Sequence, residues 1–415
     1  MISVITPTHD PKYLRECYES LKKQTYKDFE WVVIAHNCKV KLPKEEWIRI
    51  VLYNEKTTNI GEIKRFAFEQ GRGDFLLEYD HDDLLSSHCL EEVAKAFDDT
   101  EIDFVYSDCA DFSMDGNKYT YSNSEVRKGW EACGWKFYKT KVDGKEYEVP
   151  HSWGPSAQAV SLIFYAPNHV RAWRRSFYEK VGKHAPIPEC DDHELLIRTY
   201  LNGKIKHIPK CLYLYRISGS NTWAQRIEKI REETGKFQTI FLPLLVKREC
   251  DLRGLQAVDL GGAFNAPKGW VTCDKENAEI IADLSKKWPF EDSSIGAFRA
   301  FDFLEHLPNK QHVMSELYRC LAPGGWLLSA TPSTDGRGAF QDPTHVSYWN
   351  QNAFWYWTRK EQAQFIHNTD IRFMEARLFT AFPSDWHKEN NIPYTYADMI
   401  SLKNDDGSLP GIRRI

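Results

Sequence analysis

The sequence predicts an α/β protein made of two α/β domains, and three features of its 415 residues predict it. Short β-branched apolar runs alternate with helix-period segments from residue 1 to about 222. A second alternation starts at Leu255, opening on a glycine turn. Between the two, residues 223–254 carry apolar positions at helical spacing. The expected organisation is a first domain over 1–222, a helical connector over 223–254 and a second domain over 255–415. A chain of this length accommodates two or three domains, each with its own core.

Composition narrows the class. The balance of 54 basic against 59 acidic residues leaves a net charge of −5 without a polybasic run, so nucleic acid is not an expected partner. Ten cysteines without a Cys-x-x-Cys pair argue against structural zinc and disulfides, and for a reducing compartment. The chain opens directly on a strand, and no apolar run approaches the ~18 residues of a membrane span. The expectation is a soluble, cytoplasmic protein, with peripheral membrane association only through its substrate.

The first domain reads in order. Ile2–Thr6 is a strand closed by Pro7-Thr8-His9-Asp10, and residues 11–24 place Leu14, Cys17, Tyr18 and Leu21 at helical spacing. Phe29–Ala35 and Arg49–Tyr53 read as continuous apolar strands buried on both faces of a parallel sheet. Asn59–Gln70 reads as a helix, and Phe75–Tyr79 as a strand that ends in Asp80, Asp82 and Asp83. Three carboxylates within four residues repel one another unless water or a hard divalent cation sits among their oxygens. Ligands of such sheets bind at the carboxyl ends of strands, where both Thr6-Pro7 and Asp80-His81-Asp82 fall.

Three segments in this order, Val4–Ile34, Asn59–Leu85 and Cys190–Arg216, resemble the family 2 glycosyltransferases of GT-A fold. The resemblance implies that Asp80 and Asp82 bind Mn2+ or Mg2+, whose charge bridges the diphosphate of a UDP- or GDP-sugar. It implies that Thr6 and Pro7 line the nucleotide and that Arg65 lies near it, an intrahelical salt bridge being the other reading of Arg65. Asp191 and Asp192 take the family's acidic pair, with Asp192 matching the base that deprotonates the acceptor hydroxyl. Both acids also suit a helix N-terminus electrostatically. Two positions depart from the family pattern: Ala35-His36-Asn37-Cys38 replaces an acidic pair after the second strand, and Ser218 stands near a usual histidine. Arg216 reads equally as a diphosphate contact or a surface residue. Trp153 and Trp173 read first as core residues, and His169 reads as structural more readily than as a ligand.

Across the connector, Ile227, Ile230, Phe237, Ile240, Phe241, Leu244 and Leu245 recur at helical spacing, with Gly235 and Pro243 predicted to break the helix. In the second domain, Gln256–Leu260 leads into Gly261-Gly262, a strand follows to Asp274, and another runs to Phe301 ahead of Leu304-Glu305-His306-Leu307-Pro308. A helix over about 309–321 and the strand from Leu321 complete the alternation. The ordered set resembles the Rossmann-like class I S-adenosylmethionine-dependent methyltransferases over about residues 255–360. The resemblance implies that Asp259, Gly261 and Gly262 meet the methionine end of S-adenosylmethionine, Asp274 its ribose, and Asp283 and Leu284 its adenine. Asp302, His306 and His345 are candidates on the acceptor side, where a histidine suits the base of an O-methylation. Only seven residues separate Gly262 from Trp270, too few for a helix after the glycine turn.

The expected function is a bifunctional enzyme, in which inverting sugar transfer to a glycan or glycolipid acceptor is coupled to methylation of the glycan. Three other readings stay open: a glycosyltransferase with a degenerate methyltransferase-like domain, a nucleotidyltransferase, and a catalytically dead glycan-binding scaffold. "TPTHDPKYL" lacks the glycine-rich loop expected of a nucleotidyltransferase. Asn404–Ser408 reads as an exposed tail.

Overall fold

A computed structural model gives the architecture and describes residues 1–113, 128–131, 134–217, 225–262, 265–367 and 370–403. Ser218 and Asn404–Ser408 lie outside the described residues. The chain divides into two compact units, Met1–Leu245 and Val246–Ile415, the division falling inside the helix Ile227–Leu252.

In the first unit, β1 (Ile2–Thr8), β2 (Phe29–His36), β3 (Ile48–Tyr53) and β4 (Phe75–Glu78) pair in parallel with β1 between β2 and β4. The sheet continues through β5 (Leu84–Leu85), β6 (Phe104–Ser113), β9 (Arg171–Arg174) and β10 (Ile205–Ile217), in the order β3-β2-β1-β4-β9-β6-β10-β5. A separate hairpin joins β7 (Phe137–Val142) to β8 (Lys145–Pro150). Alternation along each strand feeds two cores. Val4 and Leu77 face one side with Leu14, Tyr18 and Leu21, whereas Ile5 and Leu76 face the other with Trp173 and Leu195. The expectation of burial on both faces fails for β3, where Ile50 is 40% and Leu52 65% exposed. β3 ends the strand order, so its outer residues meet no neighbour.

Helices follow the predicted spacing. Leu14–Lys22 buries Leu14, Cys17, Tyr18 and Leu21, and Ile60–Glu69 starts at Asn59, whose side chain accepts from the Glu62 N–H at 3.1 Å. The connector is one helix rather than a broken one, with Pro243 inside it. A proline removes a single backbone donor. Leu242, Leu245, Val246 and Cys250 are buried along its length, and that apolar packing offsets the loss.

The second unit holds β11 (Gln256–Leu260), β12 (Val271–Asp274), β13 (Ile280–Ile281), β14 (Ile295–Phe301), β15 (Leu321–Pro332), β16 (Phe373–Ala381) and β17 (Tyr394–Ser401). Their order is β13-β12-β11-β14-β15-β17-β16, parallel through β15 and antiparallel at β17 and β16. β11 sits between β12 and β14, as β1 sits between β2 and β4. Each unit therefore opens a crevice at the carboxyl end of its sheet, where the strand order reverses.

Candidate active sites of the two units

The crevice of the first unit is built around a buried carboxylate. Glu78 ends β4 at 1% exposure, and its register partner across the antiparallel pair is Arg171 of β9. Lys64, from the helix Ile60–Glu69, places Nζ 2.5 Å from Glu78 Oε1 and 4.0 Å from Asp191 Oδ2. Arg171 Nη1 lies 3.5 Å from Glu78 Oε2 and donates to Asp192 Oδ2 at 2.8 Å. Burial opposes charge on Glu78, but Lys64 and Arg171 outweigh it and hold its carboxyl well below the ordinary range. Asp192 is depressed by the same two cations against its own burial. Asp191 is pushed the other way, to about 7, by burial, Lys64 offsetting only part of it.

Asp80 follows directly after this cluster. Its Oδ2 is 3.6 Å from His169 Nε2, which is 4.0 Å from Glu78 Oε2. Glu78, Asp80 and His169 thus offer three ligand atoms within 4.8 Å of one another, and Glu78 Oε2 is buried without a hydrogen-bond partner. That oxygen faces Arg171 at 3.5 Å without accepting a hydrogen bond, so it keeps a lone pair to offer and the donor set suits a divalent cation. Asp82 lies beside this group rather than within it, and its backbone oxygen accepts from Arg216 Nε at 2.5 Å. Asp83 is buried at 1% and accepts the Arg216 N–H at 2.7 Å, so it anchors the loop.

Several expected contacts are placed elsewhere. The Thr6 side chain is fully buried and accepts from Trp31 Nε1 at 3.0 Å, leaving Pro7 as the accessible part of the strand end. Arg65 turns along its helix toward Glu69, 3.8 Å away, because the cation facing the acids is its neighbour Lys64. Arg216 is buried between the Tyr13 and Phe112 rings and pairs with Glu16 at 2.8 Å. Trp153 and Trp173 are core residues, at 8% and 0% exposure. Lys64, Glu78 and Arg171 join the site only through the fold, and His169, whose sequence context favours a structural role, faces Asp80. Lys64 and Glu78 lie inside the motif segments, but a lysine on a helix and the last residue of a strand carry no distinguishing spacing.

In the second unit, Gly261, Asp274, Ala282, Leu284, Asp302, Phe303 and His306 line a cavity of about 280 Å³. Gly261 has φ +73°, and a Cβ there would sit 2.5 Å from the Phe303 ring, so both conformation and space require glycine. Asp274 stands at the end of β12, suited to a ribose, with Leu284 and Ala282 as an apolar wall. Asp259 departs from expectation: it is fully buried and bound by Arg299 at 2.8 and 3.0 Å, a lateral pair across β11 and β14 that takes up the carboxylate. Asp283 accepts from Ser285 at 2.7 Å and faces Lys275 and Lys286; it does not line the cavity itself, whereas Lys275 does. His306 and His345 come together, their rings 5.0 Å apart.

Residues 3–155 match the family model of glycosyl transferase family 2, and residues 266–329 match that of a methyltransferase domain. A Myxococcus xanthus O-antigen biosynthesis protein, RfbC, is 31% identical over 239 residues, 54% of this chain and 16% of that protein. The Streptococcus pneumoniae glycosyltransferase GlyG is 25% identical over 226 residues, 52% of this chain and 70% of that one. The crystal structure of S. aureus TarS 1–349 with UDP superposes with a TM-score of 0.40 at 16% identity, covering 61% of this chain and 70% of that one. Among the described residues no helix is long and apolar enough to cross a membrane.

Proposed function

From a chain that joins a glycosyl transferase family 2 domain to a methyltransferase domain, we propose a bifunctional enzyme that adds a sugar to a glycan acceptor and methylates the glycan. The observation that carries the first activity is the Glu78–Lys64–Arg171–Asp192 cluster beside Asp80 at the reversal point of the sheet. In the reaction, an acceptor oxygen attacks the anomeric carbon, the carbon–oxygen bond to the nucleoside diphosphate breaks, and the acceptor proton goes to a carboxylate. Asp192 is the accessible member of the acidic pair, 25% exposed against 4% for Asp191, and Arg171 holds its orientation. A single displacement with one base inverts the anomeric centre. Asp80, with Glu78 Oε2 and His169 at the same place, would hold Mn2+ or Mg2+, and Asp82 would approach the ion from beside the group. When bound, that cation neutralises charge developing on the leaving diphosphate. Pro7 and the ends of β1 and β4 would receive the nucleotide of a UDP- or GDP-sugar. The name of the Myxococcus relative supports a polysaccharide acceptor.

The second activity rests on Asp274, Gly261, Ala282 and Leu284, which would hold the ribose and adenine of S-adenosylmethionine. S-adenosylmethionine supplies an electrophilic methyl group, and the acceptor hydroxyl enters past Asp302 and His306. A second reading is favoured by one observation: the acid expected at the methionine end, Asp259, is already paired with Arg299. That reading is a methyltransferase-like domain without cofactor. Nucleotide-sugar turnover with and without Mn2+, and calorimetric titration with S-adenosylhomocysteine, test the two halves separately. Metal-stimulated release of nucleoside diphosphate is expected, with micromolar binding of S-adenosylhomocysteine. Absence of heat at millimolar ligand would select the second reading for the C-terminal domain.

A further inference from the structure

The second unit carries a buried carboxylate, one oxygen of which has no hydrogen-bond partner, that neither proposed activity uses. Glu305 lies in a single turn of helix after β14 at 2% exposure. Its Oε2 accepts from Thr331 Oγ1 of β15 at 2.9 Å, whereas Oε1 is buried with no hydrogen-bond partner. His345 Nε2 faces that oxygen at 4.0 Å, and its side chain is only 8% exposed. The other His345 nitrogen, Nδ1, lies 3.2 Å from the Ala339 carbonyl, which fixes the ring with Nε2 toward Glu305. His306 completes the group, its Nδ1 3.2 Å from both the carbonyl and the hydroxyl of Thr344. The loop carrying His345 is tied down as well: the Val346 and Ser347 N–H groups both donate to the Glu305 carbonyl at 2.9 Å.

We propose that Glu305, His306 and His345 form a binding site for a first-row divalent cation, next to the cavity of the methyltransferase domain. One donor atom from each residue lies within 4.8 Å of the others. Two ligands each ~2.1 Å from a common ion are roughly 3–4.2 Å apart, so little adjustment closes the set. Two imidazoles and one carboxylate select Zn2+, Co2+, Mn2+, Fe2+ or Ni2+ over Mg2+ or Ca2+. Three protein ligands leave positions open, and Asp342 Oδ2, 3.9 Å from His345 Nε2, can take one of them. His306 also lines the cavity that includes Gly261, Asp274 and Leu284, so the remaining positions face the place where a methyl-acceptor oxygen would enter. The cation would orient a hydroxyl-bearing acceptor, a role that rests on the methyltransferase reading; cation binding itself does not.

Equilibrium dialysis of the full chain against Co2+ and Zn2+, without nucleotide sugar or S-adenosylmethionine, tests the site. Bound metal is counted by elemental analysis, and Co2+ is followed by visible absorption. The wild type is expected to bind one equivalent more than Glu305→Gln and His345→Ala, or to show affinity at least ~10-fold tighter. Comparing variants in this way subtracts any cation held near Asp80. His345→Gln, which keeps a donor for the Ala339 carbonyl, serves if the alanine variant loses its native circular dichroism. Equal stoichiometry and affinity in wild type, Glu305→Gln and both His345 variants would overturn the proposal, as would no cobalt absorption at any concentration. Because no methyl donor is present, failure of the methyltransferase reading leaves the result interpretable.

Discussion

Arg171→Met removes the guanidinium that joins the two halves of the first site. Arg171 is 5% exposed and contacts Asp192 at 2.8 Å and Glu78 at 3.5 Å, directly across the strand pair from the latter. At an effective dielectric of about 20, each contact is worth about 5 kcal/mol before desolvation. Burying the guanidinium and its partners returns much of that, and loss of one member of a buried pair typically costs about 3–5 kcal/mol. Methionine fills the volume, so the expected loss reflects orphaned carboxylates rather than a cavity. For a domain of this size the melting temperature should fall by roughly 6–20 °C. Urea titration read by hydrogen exchange at the β1 and β2 peptides isolates the first unit from the second. Adding Asp192→Asn removes one orphaned charge and should recover at least about 1 kcal/mol in a double-mutant cycle. A single mutant within about 1 kcal/mol of wild type, with no coupling to Asp192, would refute the account of charge balance at this site.

Other substitutions probe the remaining inferences. Asp192→Asn should lower sugar transfer by about 10²–10⁴-fold while leaving donor binding intact, measured by initial rates and nucleotide-sugar titration. His184 is fully buried and its pKa is pushed down to about 3, by burial and then by Lys64. A depressed histidine contributes stability above its unfolded pKa of ~6.5 and loses it as pH falls toward the folded value, so the first unit should weaken by about 2 kcal/mol between pH 6.5 and 5. His184→Asn should flatten that dependence, and an unchanged slope would show that other groups set it. Gly261→Ala should destabilise the second unit by about 1–3 kcal/mol through its positive φ and the Phe303 ring, seen as a lower urea midpoint.

Much of the fold was legible locally. Strand and helix periodicity marks Ile2–Thr8, Phe29–His36, Leu14–Lys22 and Lys310–Cys320 within a residue or two at most ends, because a repeating apolar face must be buried whatever it packs against. Glycine at Gly261 and acids after β4 were readable for the same reason: each reflects a constraint on its own few residues. The partners of those acids were not. Glu78 becomes a site residue because β9 runs antiparallel beside β4 and delivers Arg171 and His169, which lie about ninety residues further along the chain. Asp259, beside Gly262, is already paired because β14 sets Arg299 against it.

Local pattern along the chain suffices for two alternating α/β units, their motif segments and the strand ends at which chemistry would gather. Packing sets which acids are held ionised and which are raised, that Lys64 rather than Arg65 faces them, and that Glu305 meets His345. Periodicity is a property of neighbouring residues, whereas charge state and ligand geometry depend on strand order and burial, which bring distant residues within a few ångströms.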